Sequence, residues 1–391
     1  MDDLQNVLVR RDAFANARRV FTATGKGTVA FLGGSITQMD GWRVKVMADL
    51  QRRFPRTEFT FICAGLASTC SDAGALRMRD DVLAKGTPDL FFVEYAVNDS
   101  LDGYFLAGRH APETHRTHSL RGVEGVVRHM RAAAPDCDMV MTFFVTAQQL
   151  EELRAGRIPE TYATDARVAE HYGVTTVNIG QSLINGEKDG TFSWQDYGGD
   201  CHPHERGCAR IAGEYARLFD AEWTGETASC IQPHALPEMP LDAGCYRNGG
   251  YLSWTKVKLG AGWQVAPVDW SQIPGNCRAD YRDGEILFAD IPGAECSFAF
   301  RGTAVGAFVL AGPDSGSLEV AIDDGNFMSY RLFTRYSKGE RGLHYPFMET
   351  FADDLAPEKE HRVRLRVGED RHPDSSGNAV RLYRLGANFT F

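Results

Sequence analysis

The chain has 391 residues, with 42 Lys and Arg against 52 Asp and Glu, a net charge of −10, 43% hydrophobic and 24% charged residues. This is the composition of a globular protein of about two or three domains, neither disordered nor fibrous. The acidic excess, with no polybasic run, argues against a nucleic-acid partner, and apolar runs such as 90–93 and 140–145 fall far short of the roughly 18–20 residues of a membrane span.

The first residues, Met1-Asp2-Asp3-Leu4-Gln5-Asn6, lack a basic n-region and an apolar h-region, which predicts a chain that is not exported. Nine cysteines, with no CxxC pair and several (Cys63, Cys296) inside apolar runs, predict reduced structural thiols and a cytoplasmic protein. From there to about residue 220, apolar strand patterns at 28–32, 58–63, 89–95, 139–145 and 175–179 alternate with helical patterns. The helical patterns fall at 41–53, 72–84, 119–134, 160–171 and 205–222. This alternation predicts a parallel α/β sheet of about five strands, apolar on both faces and covered by helices. The stretch 224–240, with Pro233, Pro237 and Pro240 among Gly, Thr and Ser, reads as a linker. Beyond it the helical periodicity stops. Short alternating runs at 251–259, 285–290, 296–300, 305–311, 317–323, 327–333, 362–367 and 379–385 predict an all-β sandwich or jelly roll. The predicted domains are 1–223 and 241–391, joined by 224–240.

The chemistry-bearing residues cluster at strand ends. The first strand runs into Gly33-Gly34-Ser35-Ile36-Thr37 and then a helix. The lysine of a P-loop and the third glycine of a dinucleotide fingerprint are missing. A serine on a tight strand-to-helix turn exposes its hydroxyl beside a helix N-terminus, which suits a nucleophile; alone, the run also reads as a turn with an N-cap serine. The second strand ends in Ala64-Gly65-Leu66-Ala67-Ser68, where a glycine lets a backbone N–H approach a reacting oxygen. The third ends in Tyr95-Ala96-Val97-Asn98-Asp99, an amide at the sheet edge where α/β folds bind ligands. Asp200-Cys201-His202-Pro203-His204 precedes the last helix and supplies a base with a group to orient it.

These four blocks, in this order over residues 28–220, resemble the SGNH hydrolases, a branch of the GDSL esterases. The resemblance implies a flavodoxin-like, three-layer parallel-sheet domain with Ser35 as nucleophile and His202 as base. It also implies an oxyanion hole formed by the Ser35 N–H, the Gly65 N–H and the Asn98 amide. The family usually writes Asp-x-x-His. Here Asp200 stands two residues before His202, with Asp196 in reserve, and His204 reads as a surface residue. No metal or organic cofactor is implied; Asp99, Asp102, His110, His115 and His118 match no HxxxH or HExxH spacing and read as a solvated loop.

The loop 101–118, with Arg109, His110 and Arg116, is too polar for the acyl channel of a long-chain lipase. Trp42, Asp99, Tyr104 and Trp194 are the candidate substrate contacts, and Trp254, Trp263 and Trp270 are candidates for glycan contact in the second domain. Two-domain members with a β-sandwich resemble carbohydrate acetylesterases. That resemblance implies an acetylated oligosaccharide of mannan or xylan type as substrate. A lysophospholipase or thioesterase and a non-catalytic carbohydrate-binding protein are the alternatives.

Overall fold

The computed structural model describes residues 2–11, 14–100, 112–339 and 342–390, and the chain divides into two compact units, Met1–Arg247 and Asn248–Phe391. The first unit contains strands β1 (Leu8–Val9), β2 (Lys26–Gly33), β3 (Glu58–Gly65), β4 (Leu90–Val93), β5 (Asp138–Phe143) and β6 (Thr175–Asn178). They form one sheet in the order β1-β6-β5-β4-β2-β3. All pairs are parallel except β1, a two-residue strand antiparallel to β6 and too short to carry a readable pattern. The helices are α1 (Ala15–Thr24), α2 (Ser35–Gln38), α3 (Trp42–Arg53), α4 (Ser71–Asp81) and α5 (Pro112–Ala133). They continue with α6 (Ala147–Arg154), α7 (Glu160–His171), α8 (Ile179–Lys188), α9 (Trp194–Tyr197) and α10 (Glu205–Glu222).

The inner strands β4, β5 and β6 are buried on both faces, which is why β4 and β5 read as continuous apolar runs, whereas the edge strand β3 leaves Glu58, Thr60 and Cys63 exposed. Val29 and Phe31 of β2 join Phe21, Trp42, Val46, Tyr215 and Leu218 in one core cluster. The alternate residues Ala30 and Leu32 are equally buried and face the other side. From β2 the chain steps to β3 on one side and then to β4 on the other. The strand order therefore reverses at β2, and a ligand crevice opens outside the carboxyl end of such a switch point. Ser35 follows β2 and Asn98 follows β4.

The polar segment read as a solvated loop differs in one part. Residues 101–111 lie outside the described ones, but α5 already begins at Pro112, and His115 and His118 are buried on it. His115 Nε2 lies 2.5 Å from the Asp99 carbonyl; contacts of this kind, made across the chain, leave no trace in local spacing. The proline-rich stretch belongs with the first unit. Gln232 N donates to Asn16 Oδ1 at 2.9 Å, Arg128 donates to the Pro237 and Glu238 carbonyls, and Glu124 accepts from Asp242 N at 2.8 Å.

The named strands of the second unit pair antiparallel: β7 (Gly249–Leu252), β8 (Lys258–Leu259), β9 (Gln264–Ala266), β10 (Ile286–Ala289), β11 (Glu295–Ala311), β12 (Ser317–Ile322), β13 (Met328–Arg331), β14 (Tyr345–Ala352), β15 (Glu360–Val367) and β16 (Val380–Phe389). Runs 296–300 and 305–311 are one strand, β11. Its first half pairs with β15, and its second half pairs with β14 and β16 across a register shift at Gly302/Ala304. The gap between the two runs is instead a bulge at Thr303, where one strand passes between the two layers of a sandwich. Pro346 interrupts the pattern of β14, and the sequence reading misses that strand. A proline is tolerated there because β14 pairs with β11 alone among the described strands. Among the described residues, no helix is long and apolar enough to cross a membrane.

Candidate active site

The chain leaves β2 at Gly33 and turns through Gly34 into α2, whose first residue is Ser35. Ser35 is partly exposed, and its Oγ lies 2.8 Å from His202 Nε2, a hydrogen bond across 167 residues. His202 stands in the turn before α10, and its other ring nitrogen faces Asp200 Oδ2 at 3.5 Å and Cys201 Sγ at 3.5 Å. At that separation Asp200 is a charged neighbour and not a tight orienting partner; its side chain is 66% exposed. Burial raises the Asp200 pKa, but hydrogen bonds from the Cys201 thiol and N–H and the His202 charge outweigh it, so the carboxyl sits below its usual range. Burial first, and then Asp200, push the Cys201 thiol up to about 12. Asp196 is committed elsewhere: it accepts from Ser193 N and Oγ at 2.9 and 2.8 Å in the cap of α9 and pairs with Arg206. His204 is exposed.

Gly65 is paired with Gly33 across β2 and β3. A Cβ at this position would run into Gln38 N and the Thr37 carbonyl carbon, so only glycine lets β3 close on the serine turn. Asn98 is 5% exposed, and its carboxamide lies against Gly34, where an added Cβ would sit 2.5 Å from Oδ1 and 3.1 Å from Nδ2. The Cys70 thiol donates to the Asn98 carbonyl at 3.2 Å and holds that loop. Gly65 and Asn98 thus flank the turn that carries Ser35, from the two strands adjacent to β2.

The candidate substrate contacts fare unevenly. Trp42 is corrected to a core residue: it is 1% exposed, stacks on Tyr215 at 5.4 Å and donates its indole N–H to the Ile36 carbonyl, so no sugar reaches its ring. Asp99 is 1% exposed and accepts from Ser71 N at 2.8 Å and Ser119 Oγ at 3.1 Å, tying α4 to α5. Burial raises its pKa to about 7. It also lines a cavity of about 150 Å³ with Ser100, His115, Ser119, Gln149 and Thr161, whose lining residues do not include Ser35, Asn98 or His202. Trp194 is half-buried and stacked on Tyr197 at 5.3 Å. Tyr104 lies outside the described residues. In the second unit Trp263 is a core residue, 4% exposed, with its indole N–H on the Ala294 carbonyl; Trp254 and Trp270 are half-buried.

Two buried charges at the site escape the sequence reading. Glu94, just past β4, accepts from Gly34 N at 2.8 Å and Thr37 Oγ1 at 2.7 Å. Arg77 of α4, 1% exposed, donates to the Gly33 and Ala64 carbonyls at 3.1 and 2.6 Å and so clamps the ends of β2 and β3. The available signal was Glu94 itself, a carboxylate continuing the apolar run Leu90–Val93, where a charge survives only with partners. Among the described residues, the atoms of Asp200, Cys201 and His202 that could hold a metal ion converge within 4.8 Å.

Residues 31–210 match the GDSL-like Lipase/Acylhydrolase family. No curated protein matches the sequence. In fold, the chain is similar to a two-domain esterase (CEX) active on acetylated mannans, with a TM-score of 0.76 and 19% identity over 98% of each chain. It is likewise similar to that esterase co-crystallised with mannopentaose, with a TM-score of 0.73 and 19% identity over 98% of this chain and 97% of the other. An acetyl-xylooligosaccharide esterase from Geobacillus stearothermophilus matches 51% of the chain at 18% identity and a TM-score of 0.43. The fold is therefore a parallel-sheet α/β unit, within which the family match lies, followed by an antiparallel β-sandwich.

Proposed function

We propose that the protein is a serine esterase that removes O-acetyl groups from acetylated oligosaccharides of mannan or xylan type, through an acyl-enzyme on Ser35. The observation that carries this reading is the 2.8 Å contact of Ser35 Oγ with His202 Nε2 at the sheet's switch point. His202 Nε2 takes the hydroxyl proton as Oγ attacks the ester carbonyl. The oxyanion forms beside Asn98, Gly65 and the N–H of Ser35, donors held in place before the reaction starts. The sugar hydroxyl leaves with the proton from His202, and water, deprotonated by the same nitrogen, releases acetate and restores Ser35. Asp200 stabilises the imidazolium electrostatically.

The likeness in fold to an esterase active on acetylated mannans supports a sugar acetate over the acyl chain of a lysophospholipid or a long thioester. The likeness to the acetylmannan esterase puts mannan first among the glycans. Nine free cysteines support a reducing, cytoplasmic setting. The test is acetate release from acetylated mannan and xylan oligosaccharides, beside p-nitrophenyl acetate and a long-chain p-nitrophenyl ester. Ser35→Ala abolishes hydrolysis while the protein stays folded, and His202→Ala is nearly as severe. A preference for the long-chain ester, or activity surviving in Ser35→Ala, refutes the reading.

A further inference from the structure

We propose that Glu94 is a positioning residue for the nucleophile: its buried carboxylate holds the 33–37 turn in the geometry in which Ser35 meets His202. This rests on the reading of Ser35 as the nucleophile. Gly34 is the N-cap of α2, and no side chain of its own segment caps that turn. The free end of the turn is bound instead from a neighbouring strand. Glu94 Oε1 takes both the Gly34 N–H at 2.8 Å and the Thr37 hydroxyl at 2.7 Å, so it spans the residues on either side of Ser35 and Ile36. Glu94 is itself anchored by burial and by its backbone. It is 2% exposed, and its own N–H donates to the Leu32 carbonyl of β2 at 3.2 Å. Gly33 leaves the space the carboxylate occupies, because a Cβ there would collide with Oε1.

A hydrocarbon of the same size would pack as well at lower cost, since a carboxylate at this depth is expensive unless its bonds are used. What the carboxylate adds is direction: two charge-assisted acceptor contacts fix the backbone that presents the serine hydroxyl and N–H. The groups in electrostatic reach are the Asp99 and Asp165 carboxyls, the hydroxyls of Tyr95, Tyr197 and Tyr215, and the Cys201 thiol. Burial lifts Glu94 to about 7, against the lowering effect of Thr37 and Gly34, so it changes charge within the working range of an esterase.

The experiment compares Glu94→Ala, Glu94→Gln and Thr37→Val with the full-length protein on p-nitrophenyl acetate, together with amide hydrogen exchange. Misplacing a nucleophile by about 1 Å costs on the order of 10²-fold. Glu94→Ala therefore loses about that much kcat with KM within about twofold. Glu94→Gln, which keeps one acceptor in place, stays within about tenfold of wild type and has a shallower acid limb in kcat/KM, because the group titrating near 7 is gone. Thr37→Val, a substitution of similar shape, lowers kcat several-fold. In Glu94→Ala, exchange accelerates at the amides of residues 33–38 and not elsewhere.

Wild-type kcat in Glu94→Ala and Thr37→Val overturns the proposal, as does a loss that follows only the fraction of unfolded protein. Should the wild type fail to cleave the ester, the esterase reading falls. The exchange measurement then decides for Glu94 by itself: selective acceleration at 33–38 supports the positioning role, and unchanged exchange ends it.

Discussion

Asp200→Asn is the substitution in which this site departs most clearly from a buried Ser-His-Asp triad. In a buried triad, replacing the aspartate by asparagine costs about 10⁴ in kcat, because the acid fixes the tautomer and stabilises the imidazolium in a dry pocket. Here the Asp200 Oδ2 to His202 Nδ1 separation is 3.5 Å, and the two side chains are 66% and 44% exposed. Coulomb's law at that distance gives about 1 kcal/mol in a water-like dielectric and about 5 kcal/mol at an effective dielectric near 20. Exposure places the pair close to the lower figure, as for other solvent-facing ion pairs. An imidazolium transition state thus loses about 1 kcal/mol of stabilisation, a five- to tenfold fall in kcat. Asp200 is ionised in the assay, since its carboxyl is held below the usual range. The assay is p-nitrophenyl acetate hydrolysis at pH 8 by wild type and Asp200→Asn, at 0.05 and 1 M salt. The gap narrows at high salt, where the screening length drops to about 3 Å. A loss of 10³ or more, unchanged by salt, refutes the argument: it would show that the acid closes on His202 in the working enzyme.

Zinc added to the enzyme inhibits hydrolysis, and a chelator restores the rate without exceeding that of metal-free wild type. The cation takes His202 Nδ1, Cys201 and Asp200 together and draws the base from its task; Cys201→Ala weakens that inhibition, and activation by zinc contradicts it. Chemical stability falls as the pH rises from about 4.5 to about 7. Burial raises Glu94 to about 7 in the folded protein, so the folded state binds more protons than the unfolded one across that window. The Glu94 contribution is on the order of 3 kcal/mol, and urea melts at pH 5 and 8 converge by that amount in Glu94→Gln; an identical pH dependence in both proteins argues against it. Trp42→Ala costs about 3–5 kcal/mol of stability, read as a fall in melting temperature, with KM of the folded fraction unchanged. Trp194→Ala instead raises KM for the oligosaccharide with little effect on stability, and the reverse ranking would exchange their roles.

Fold class and the Ser35 and His202 candidates, which the structure brings within 2.8 Å of each other, were legible in the sequence because both have local signatures. Strands buried on both faces must be apolar at every position, as Leu90–Val93 is, and a nucleophile on a strand-to-helix turn needs the small residues that Gly33-Gly34-Ser35 supplies. The break to alternating runs after Pro240 likewise announced a sandwich. What the sequence could not decide was depth. Trp42 and Trp194 look alike along the chain, yet one ring lies between Tyr215 and Phe31 in the core and the other sits half-buried on Tyr197. His115 and His118 read as solvated until the start of α5 buries them. Glu94 escapes the sequence reading, because its role appears only when β4 sets it beside the serine turn, 60 residues from the Gly34 N–H it binds. Apolar periodicity and turn chemistry act over a few residues and are written there. The partner of a buried charge, the face of an indole and the distance from Asp200 to His202 depend on which strands lie side by side, and only tertiary packing decides that.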